Sequence, residues 1–253
     1  MRLAVFSDVH GNLEALAAFL KHSRDRCVDR YACVGDIIGY GPNPNECITE
    51  ISSIPQIITV KGNHEWACSD PTKLSVDMVP MAYKSIVWTQ KRLNPHSMKY
   101  IAQIDHRVET LECTFVHASA HQPTKWEYLN FGKTHEIMLC FEYSSTRITF
   151  VGHTHRPMIL DSYGRFLTDD INFPDGTTYA DDGVRRILVN PGSIGQPRDT
   201  LRKPCYVLHD TITNELTWYR LNNYDPEITA QKILATDLPA ECAYYLTRSG
   251  TLA

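Results

Sequence analysis

Long hydrophobic runs are missing from this chain. None of its apolar stretches approaches the ~20 residues that a bilayer requires, so no transmembrane helix is expected. Paired cysteines are missing as well. The eight cysteines (Cys27, Cys33, Cys47, Cys68, Cys113, Cys140, Cys205 and Cys242) form no CxxC pair. They read as reduced, mostly core thiols of a cytoplasmic protein. The opening MRLAVFSDVHG has Arg2 and a short apolar run but no small-residue cleavage site, which is not the pattern of a signal peptide. An excess of positive charge is also absent. The net charge of −4 argues against broad nucleic-acid binding, while leaving room for a nucleotide-sized substrate at a local site. No internal repeat, low-complexity tract or linker divides the 253 residues, and they read as one domain, 1–253, with a helical insertion at about 66–104.

What is present is an alternation of buried strands and helices. Hydrophobic residues make up 43% and charged residues 21%, an ordinary globular balance. Leu3 to Phe6 is a short apolar run. Asn12 is placed to cap a helix whose Leu13, Leu16, Ala17 and Leu20 share one face. Tyr31 to Val34 reads as a second strand, Asn43-Pro44 as a helix start, and Ile57 to Val60 as a third strand. That order indicates a parallel α/β unit. Further strands are expected at Thr114–Val116, Arg147–Val151 and Ile187–Val189, a hairpin at 204–221 around Thr213-Asn214, and a helix at 226–235. The polar segment 169–183 is expected to be a surface excursion.

The polar residues that end these strands are more telling than the strands. Asp8 and His10 follow the first, Asp36 the second, Asn63 and His64 the third, then His117, then His153 and His155. Ligands of open α/β sheets bind beyond the carboxyl ends of strands, and five of the eleven histidines lie there. Each fragment alone is as well explained by turn chemistry. Together they form a set of imidazoles and carboxylates without thiolates, which suits Mn, Fe, Ni or Zn in a reactive rather than a structural site. A carboxylate shared between two such ions would hold them ~3.5–4 Å apart, able to clamp the attacking and leaving oxygens of a displacement at phosphorus.

The fragments D8-V-H10, G35-D36, G62-N63-H64-E65, H117 and G152-H153-T154-H155, in that order, resemble the calcineurin-like metallophosphoesterase superfamily. With GYGPNP (39–44) and NPGSIGQPR (190–198), they look most like its small bacterial and archaeal phosphodiesterase branch. The resemblance spans residues 3 to about 200. It implies an α/β fold, a four-layer α-β-β-α sandwich of two mixed sheets. It further implies that Asp8, His10, Asp36 and His155 hold one metal and Asp36, Asn63, His117 and His153 a second, with Asp36 bridging. In that scheme Asp8 and His10 project from an extended stretch toward one ion, a hydroxide between the metals attacks phosphorus, and His64 protonates the leaving oxygen or stabilises the transition state.

The protein-phosphatase branch carries GDxVDRG, whose Arg grips phosphate, whereas this chain has GDIIGYG at 35–41. The same Arg motif is shared by dinucleoside-tetraphosphate hydrolases. Its absence favours a phosphodiester over a phosphomonoester, a nucleotide or dinucleoside polyphosphate, or a phosphoprotein. Asn12 and Arg198 are the candidate phosphate contacts, against plain roles as a cap and a loop brace. Tyr40 is a candidate for the pocket wall, Gly192 and Ser193 for a turn beside the site. Trp126 is a candidate to stack a nucleotide base, while Trp88 and Tyr83 read as core. A non-catalytic interaction module on the same fold is the competing class, but none of the ligand positions has been lost. The terminal AYYLTRSGTLA is a candidate contact with a second copy in a homo-oligomer.

Overall fold

A computed structural model describes residues 1–74, 78–130, 132–168 and 172–247. The first apolar run forms β1 (Arg2–Phe6), which sorts its side chains by strand period. Leu3 and Val5 enter one buried cluster, Ala4 and Phe6 another. Asn12 Oδ1 accepts the N–H of Ala15 and starts α1 (Leu13–Asp25). Then come β2 (Arg30–Cys33), α2 (Pro44–Ser52), β3 (Ile58–Thr59) and α3 (Asn63–Ser69). Two further helices, α4 (Pro80–Gln90) and α5 (Pro95–Gln103), precede β4 (Arg107–Glu109) and β5 (Cys113–Val116). The chain continues through α6 (Thr134–Glu142), β6 (Ile148–Phe150), β7 (Pro157–Asp161), β8 (Thr177–Ala180) and β9 (Ile187–Pro191). It closes with the hairpin β10 (Cys205–Asp210) and β11 (Glu215–Arg220), then α7 (Pro226–Leu234) and α8 (Ala240–Thr247). Proline occupies the first turn of α2, α4, α5 and α7, where its missing N–H costs no hydrogen bond.

The strands form two mixed sheets, β3-β2-β1-β10-β11-β8 and β4-β5-β6-β9-β7. In the first, β1, β2 and β3 are parallel and β10 returns antiparallel beside β1. In the second, β5, β6 and β9 are parallel. Val5, Phe115, Phe150, Val189, Val207 and Trp218 fill the space between the sheets. Phe6, Leu16, Phe19 and Ile48 pack helices on the outer face of the first sheet, and Val116, Ile137, Phe141 and Leu188 do so on the second. This is the four-layer α-β-β-α arrangement. Burial of a large apolar side chain in these layers contributes roughly 1.5–3 kcal/mol.

Several expectations are corrected. The 169–183 segment is not merely a surface excursion. Phe173 is fully buried against Trp218, and Thr177–Ala180 pairs with β11 as an edge strand, while residues 169–171 lie outside the described set. Tyr83 is 40% exposed rather than core, whereas Trp88 is buried as expected. The third strand shrinks to two residues, continued by a single bridge from Val60 to Asp105. The beginning of AYYLTRSGTLA lies in α8, whose Cys242 and Ala243 share a buried cluster with Tyr40 and Ile233 of the same chain; residues 248–253 lie outside the described set.

Glu109, at the end of β4, fastens the second sheet's edge. Partial burial disfavours its charge, but hydrogen bonds from the Ser145 hydroxyl and amide, from Thr114 and from the Arg107 guanidinium prevail and hold its carboxyl down at about 2. An unfolded glutamate titrates near 4.5, so this group's contribution is complete above that pH and is lost as pH falls toward about 2. Glu109→Gln is expected to melt below the parent at neutral pH, with the gap closing as a series of thermal melts is taken through that acid window.

Candidate metal centre

The ends of β1 and β2 do not separate after the strands stop. Asp8 N–H donates to Gly35 O at 3.0 Å, His10 N–H to Asp36 O at 2.9 Å and Gly11 N–H to Ile37 O at 2.7 Å. The loop after β9 joins the same ladder: Gly195 N–H donates to Asp8 O at 2.8 Å, as does the Ser193 hydroxyl at 2.8 Å. Gly152 N–H donates to His117 O at 2.8 Å, coupling the loops after β5 and β6. Five strand-end loops are thereby fixed, those after β1, β2 and β9 as one set and those after β5 and β6 as another.

These loops bring two sets of side chains together. Asp8, His10, Asp36 and His155 place ligand atoms within 4.8 Å of one another, and so do Asp36, His117 and His153. Asp36 belongs to both. Its Oδ1 is tied down by the His64 backbone N–H at 3.0 Å. Its Oδ2 faces the rings, 3.3 Å from His117 Nε2 and 3.7 Å from His10 Nε2. Asn63 begins α3 beside Asp36, and both line one cavity. The stretch carrying Asp8 and His10 is not extended. Asp8, His10, Asp36, His153 and His155 all have positive φ, between 50° and 65°. Left-handed backbone at non-glycine residues costs on the order of 1–2 kcal/mol each, and Asp and His are among the residues that tolerate it best.

Backbone carbonyls set the ring orientations. His10 Nδ1 lies 3.0 Å from Ile38 O, His117 Nδ1 2.6 Å from Val34 O and His155 Nδ1 2.7 Å from Gln196 O. A carbonyl only accepts, so each Nδ1 carries the hydrogen and each Nε2 turns toward the cluster. His153 is reversed: its Nε2 donates to Trp126 O at 3.0 Å, leaving Nδ1 inward. The Nε2 atoms of His10 and His155 consequently face each other at 3.2 Å with two lone pairs and no hydrogen between them. Burial holds both rings well below the ordinary imidazole range and hence neutral, assisted by His64 and Arg198 at His10 and by Arg198 and His10 at His155. Burial and His117 similarly lower His153 to about 3. Both Asp8 carboxylate oxygens and Asn63 Oδ1 are buried with no hydrogen-bond partner among the described residues. Bare lone pairs and orphaned oxygens converging in a buried space are the donor set for cations, and the residues present fit a pair of divalent ions that share Asp36.

Without cations the cluster must neutralise itself. Burial pushes Asp8 up to about 7, with Asp36 adding to the rise and His117 opposing it. Burial likewise opposes the Asp36 charge, but His117 and His64 prevail and hold it well below the carboxylate range. Burial disfavours the His117 cation, yet Asp36 overrides it and raises the ring to about 9.

Glu65 has a role that the sequence did not disclose. It is fully buried, and its two oxygens accept the N–H groups of Asp36 (2.9 Å), Gly62 (2.9 Å) and Ile38 (3.1 Å). It thus clamps the loop that carries Asp36 to the start of α3. Its spacing three residues after Gly62 at a helix start was the available signal. Glycine is required nearby: a Cβ at Gly62 would stand 2.1 Å from Asp36 Oδ1, and one at Gly39 (φ +86°) 2.0 Å from His64 Nδ1. His64 itself is buried, with Nε2 3.9 Å from Asp36 Oδ2 and its ring against those of His10 and Tyr40.

Of the two expected phosphate contacts, Asn12 is corrected. Its Nδ2 hydrogens go to Gly195 O (3.0 Å) and the Tyr224 hydroxyl (2.8 Å), and its Oδ1 accepts from Ala15 N–H and the Thr229 hydroxyl. No donor is left for a substrate, and the capping role is the one it fills. Arg198 lines the cavity beside the cluster, braced by Gln196 Oε1 at 2.7 Å. Tyr40 and Trp126 line the same cavity, and Gly192 (φ +83°) turns the chain into Ser193.

Two outcomes are expected. Glu65→Gln, which leaves every candidate ligand in place but removes an acceptor from the clamp, should weaken divalent-cation affinity roughly 10–100-fold in a competition titration with a chelating dye. Because His117 is protonated below about 9, loading at neutral pH should release about one proton or more per chain and affinity should rise with pH. Calorimetry in two buffers of different ionisation enthalpy measures that release.

Comparison with known proteins agrees with this geometry. A family model described as the calcineurin-like phosphoesterase superfamily domain matches residues 1–214. An uncharacterized protein of Methanocaldococcus jannaschii is 33% identical over 241 residues, covering 94% of this chain and 93% of its own. The crystal structure of a metallophosphoesterase from Sphaerobacter thermophilus has a TM-score of 0.84 at 31% identity, covering 98% of this chain and 99% of that one. A hypothetical protein of Pyrococcus horikoshii OT3 has a TM-score of 0.78 at 20% identity over 99% of both chains, a likeness of fold. The chain belongs to the calcineurin-like phosphoesterase superfamily and is a metal-dependent phosphoesterase.

Proposed function

We propose that this phosphoesterase hydrolyses phosphodiesters with two divalent transition-metal ions, drawn from Mn, Fe, Ni and Zn. Asp8, His10, Asp36 and His155 hold one ion, and Asp36, Asn63, His117 and His153 hold the other. The observation that carries the reading is the position of Asp36 Oδ2, which is common to both groups of ligand atoms. When bound, the ions supply the positive charge that lets a water ionise near neutral pH and that offsets the phosphate oxygens.

The chain's own residues do the rest. Asp36 is prevented from rotating by His64 N–H on its Oδ1, so the shared oxygen keeps its direction. His64 stands beside the cluster and lines the cavity, where its ring N–H meets the ester oxygen that departs. It serves that oxygen as proton donor or as hydrogen-bond donor. Tyr40 packs on both His10 and His64 and keeps their rings apart from water. Arg198 is the arginine among the cavity-lining residues, and it is already engaged with Gln196. A single guanidinium in that cavity suits the single negative charge of a diester better than the dianion of a monoester.

The test is hydrolysis of matched chromogenic phosphate mono- and diesters by metal-stripped protein resupplied with Mn, Ni, Zn or Mg. Diester turnover that returns with Mn or Ni supports the reading, and monoester turnover alone contradicts its substrate half. In the metal-replete protein, His64→Ala should retain two ions per chain by elemental analysis while kcat falls by roughly 10²–10⁴. Undiminished kcat would remove His64 from the mechanism.

A further inference from the structure

In a phosphodiesterase, the reading on which this inference rests, a phosphate at the cluster sends its ester arm into the adjoining cavity. That cavity measures about 610 Å³ and shares Asp36, Asn63, His64, His153 and His155 with the cluster. Its size falls among those that enclose small organic ligands. Its far walls are chemically unlike the cluster. Trp66 and Trp126 meet edge to face at 5.5 Å, and Tyr128 lies flat on the His153 ring at 4.1 Å between centroids. All three line the cavity, and Tyr128 keeps 49% of its surface exposed. The contrast with Trp88 and Trp218, both buried in cores, is informative. Trp66 and Trp126 are only half-buried, so core packing does not account for them. Val79, 65% exposed, adds an apolar side chain from the start of α4.

Charge is the second observation. Lys73, Lys125 and Arg198 line this cavity, and Asp36, which belongs to the cluster, is the carboxylate lining it among the described residues. Lys73 Nζ stands 5.4 Å from the centre of the Trp66 ring, so a cation and an aromatic face are presented together. A diester carries a single charge, and the cations of the cluster already offset it. Additional cations interleaved with aromatic rings suit a ligand that has a flat ring and a further anionic group.

We propose that the cavity recognises a nucleotide, stacking its base among Trp66, Trp126 and Tyr128 and meeting a phosphate other than the scissile one with Lys125 and Lys73. The ring wall selects the base by its face and is tolerant of its identity, because every base offers a π-surface.

The experiment follows tryptophan emission of the Mn-loaded protein titrated with adenosine 5′-(α,β-methylene)diphosphate, adenosine 5′-monophosphate and methylenediphosphonate. The same sample is assayed with methyl p-nitrophenyl phosphate. The nucleotide should bind at least about tenfold more tightly than either fragment. Trp126→Ala should erase its advantage over methylenediphosphonate, and the exposed charge reversal Lys125→Glu, which disturbs no core, its advantage over adenosine 5′-monophosphate. Equal affinity for nucleotide and methylenediphosphonate overturns base recognition, and equal affinity for the diphosphate analogue and adenosine 5′-monophosphate overturns the second phosphate. If either occurs while the small diester is turned over, the nucleotide inference fails and the phosphodiesterase reading survives. Tight nucleotide binding without diester turnover supports the cavity's role and overturns that reading instead.

Discussion

Two carboxylates and four imidazoles are buried together in one small space beside the cavity, and nearly every local feature of the site follows from that crowding. Asp8 and Asp36 repel each other, and neutral rings of His10 and His155 turn lone pairs toward one another at 3.2 Å. Burying ionised groups without partners costs several kcal/mol apiece, more than most single interactions in a domain return. In the absence of ions the arrangement survives by using His117 as an internal cation against Asp36. Divalent ions held there would meet the same electrostatic need with more charge and would displace the proton of His117. The cluster is therefore organised for cations that the polypeptide alone can only partly imitate.

The crowding is sustained by backbone rather than by long side chains. Carbonyls of Val34, Ile38, Gln196 and Trp126 fix four ring orientations, and Glu65 collects three amides to hold the Asp36 loop. A neutral bond of that kind contributes roughly 0.5–1.5 kcal/mol, and one to an ionised group roughly 1.5–3 kcal/mol. That is the scale needed to offset left-handed backbone at Asp8, His10, Asp36, His153 and His155. Two sheets packed face to face bring the carboxyl ends of β1, β2, β5 and β6 to one place, so residues distant in sequence meet on short, rigid loops. Such a scaffold leaves the surrounding wall free to vary. Trp66 and Lys73 reach the cavity from the region between β3 and β4, and Lys125, Trp126 and Tyr128 from the loop after β5. The candidate ligands reside in the strand ends, and the aromatic and basic lining of the cavity in the segments that follow them.

How much of this the sequence disclosed depended on how local the cause was. Asp8, His10, Asp36, His117, His153 and His155 could be picked out because each follows an apolar run, and the fold brings them together. Asn12 announced itself as a cap. Its amide, however, is consumed by Gly195 and Tyr224, distant contacts that no local pattern reveals, so a phosphate role for it stayed equally open. Glu65 was visible as a motif letter, but its function depends on three amides converging from two loops. Phe173 has only Ile171 and Pro174 as apolar neighbours in an Asp-rich stretch, too short a pattern to mark it as core, and β4 and β8 are too short to show an alternation. Left-handed φ at five non-glycine residues leaves no mark in the sequence, which made an extended stretch the natural expectation for Asp8 and His10.

The central claim is that one carboxylate, Asp36, joins two ions into a single centre. Electron paramagnetic resonance of the Mn(II)-loaded protein tests it most directly, because bridged ions couple magnetically and separate ions do not. The account predicts a coupled dinuclear spectrum at two equivalents per chain that Asp36→Asn abolishes. A spectrum of isolated Mn(II) that saturates at one equivalent, or a coupled spectrum that persists without the Asp36 carboxylate, would contradict it.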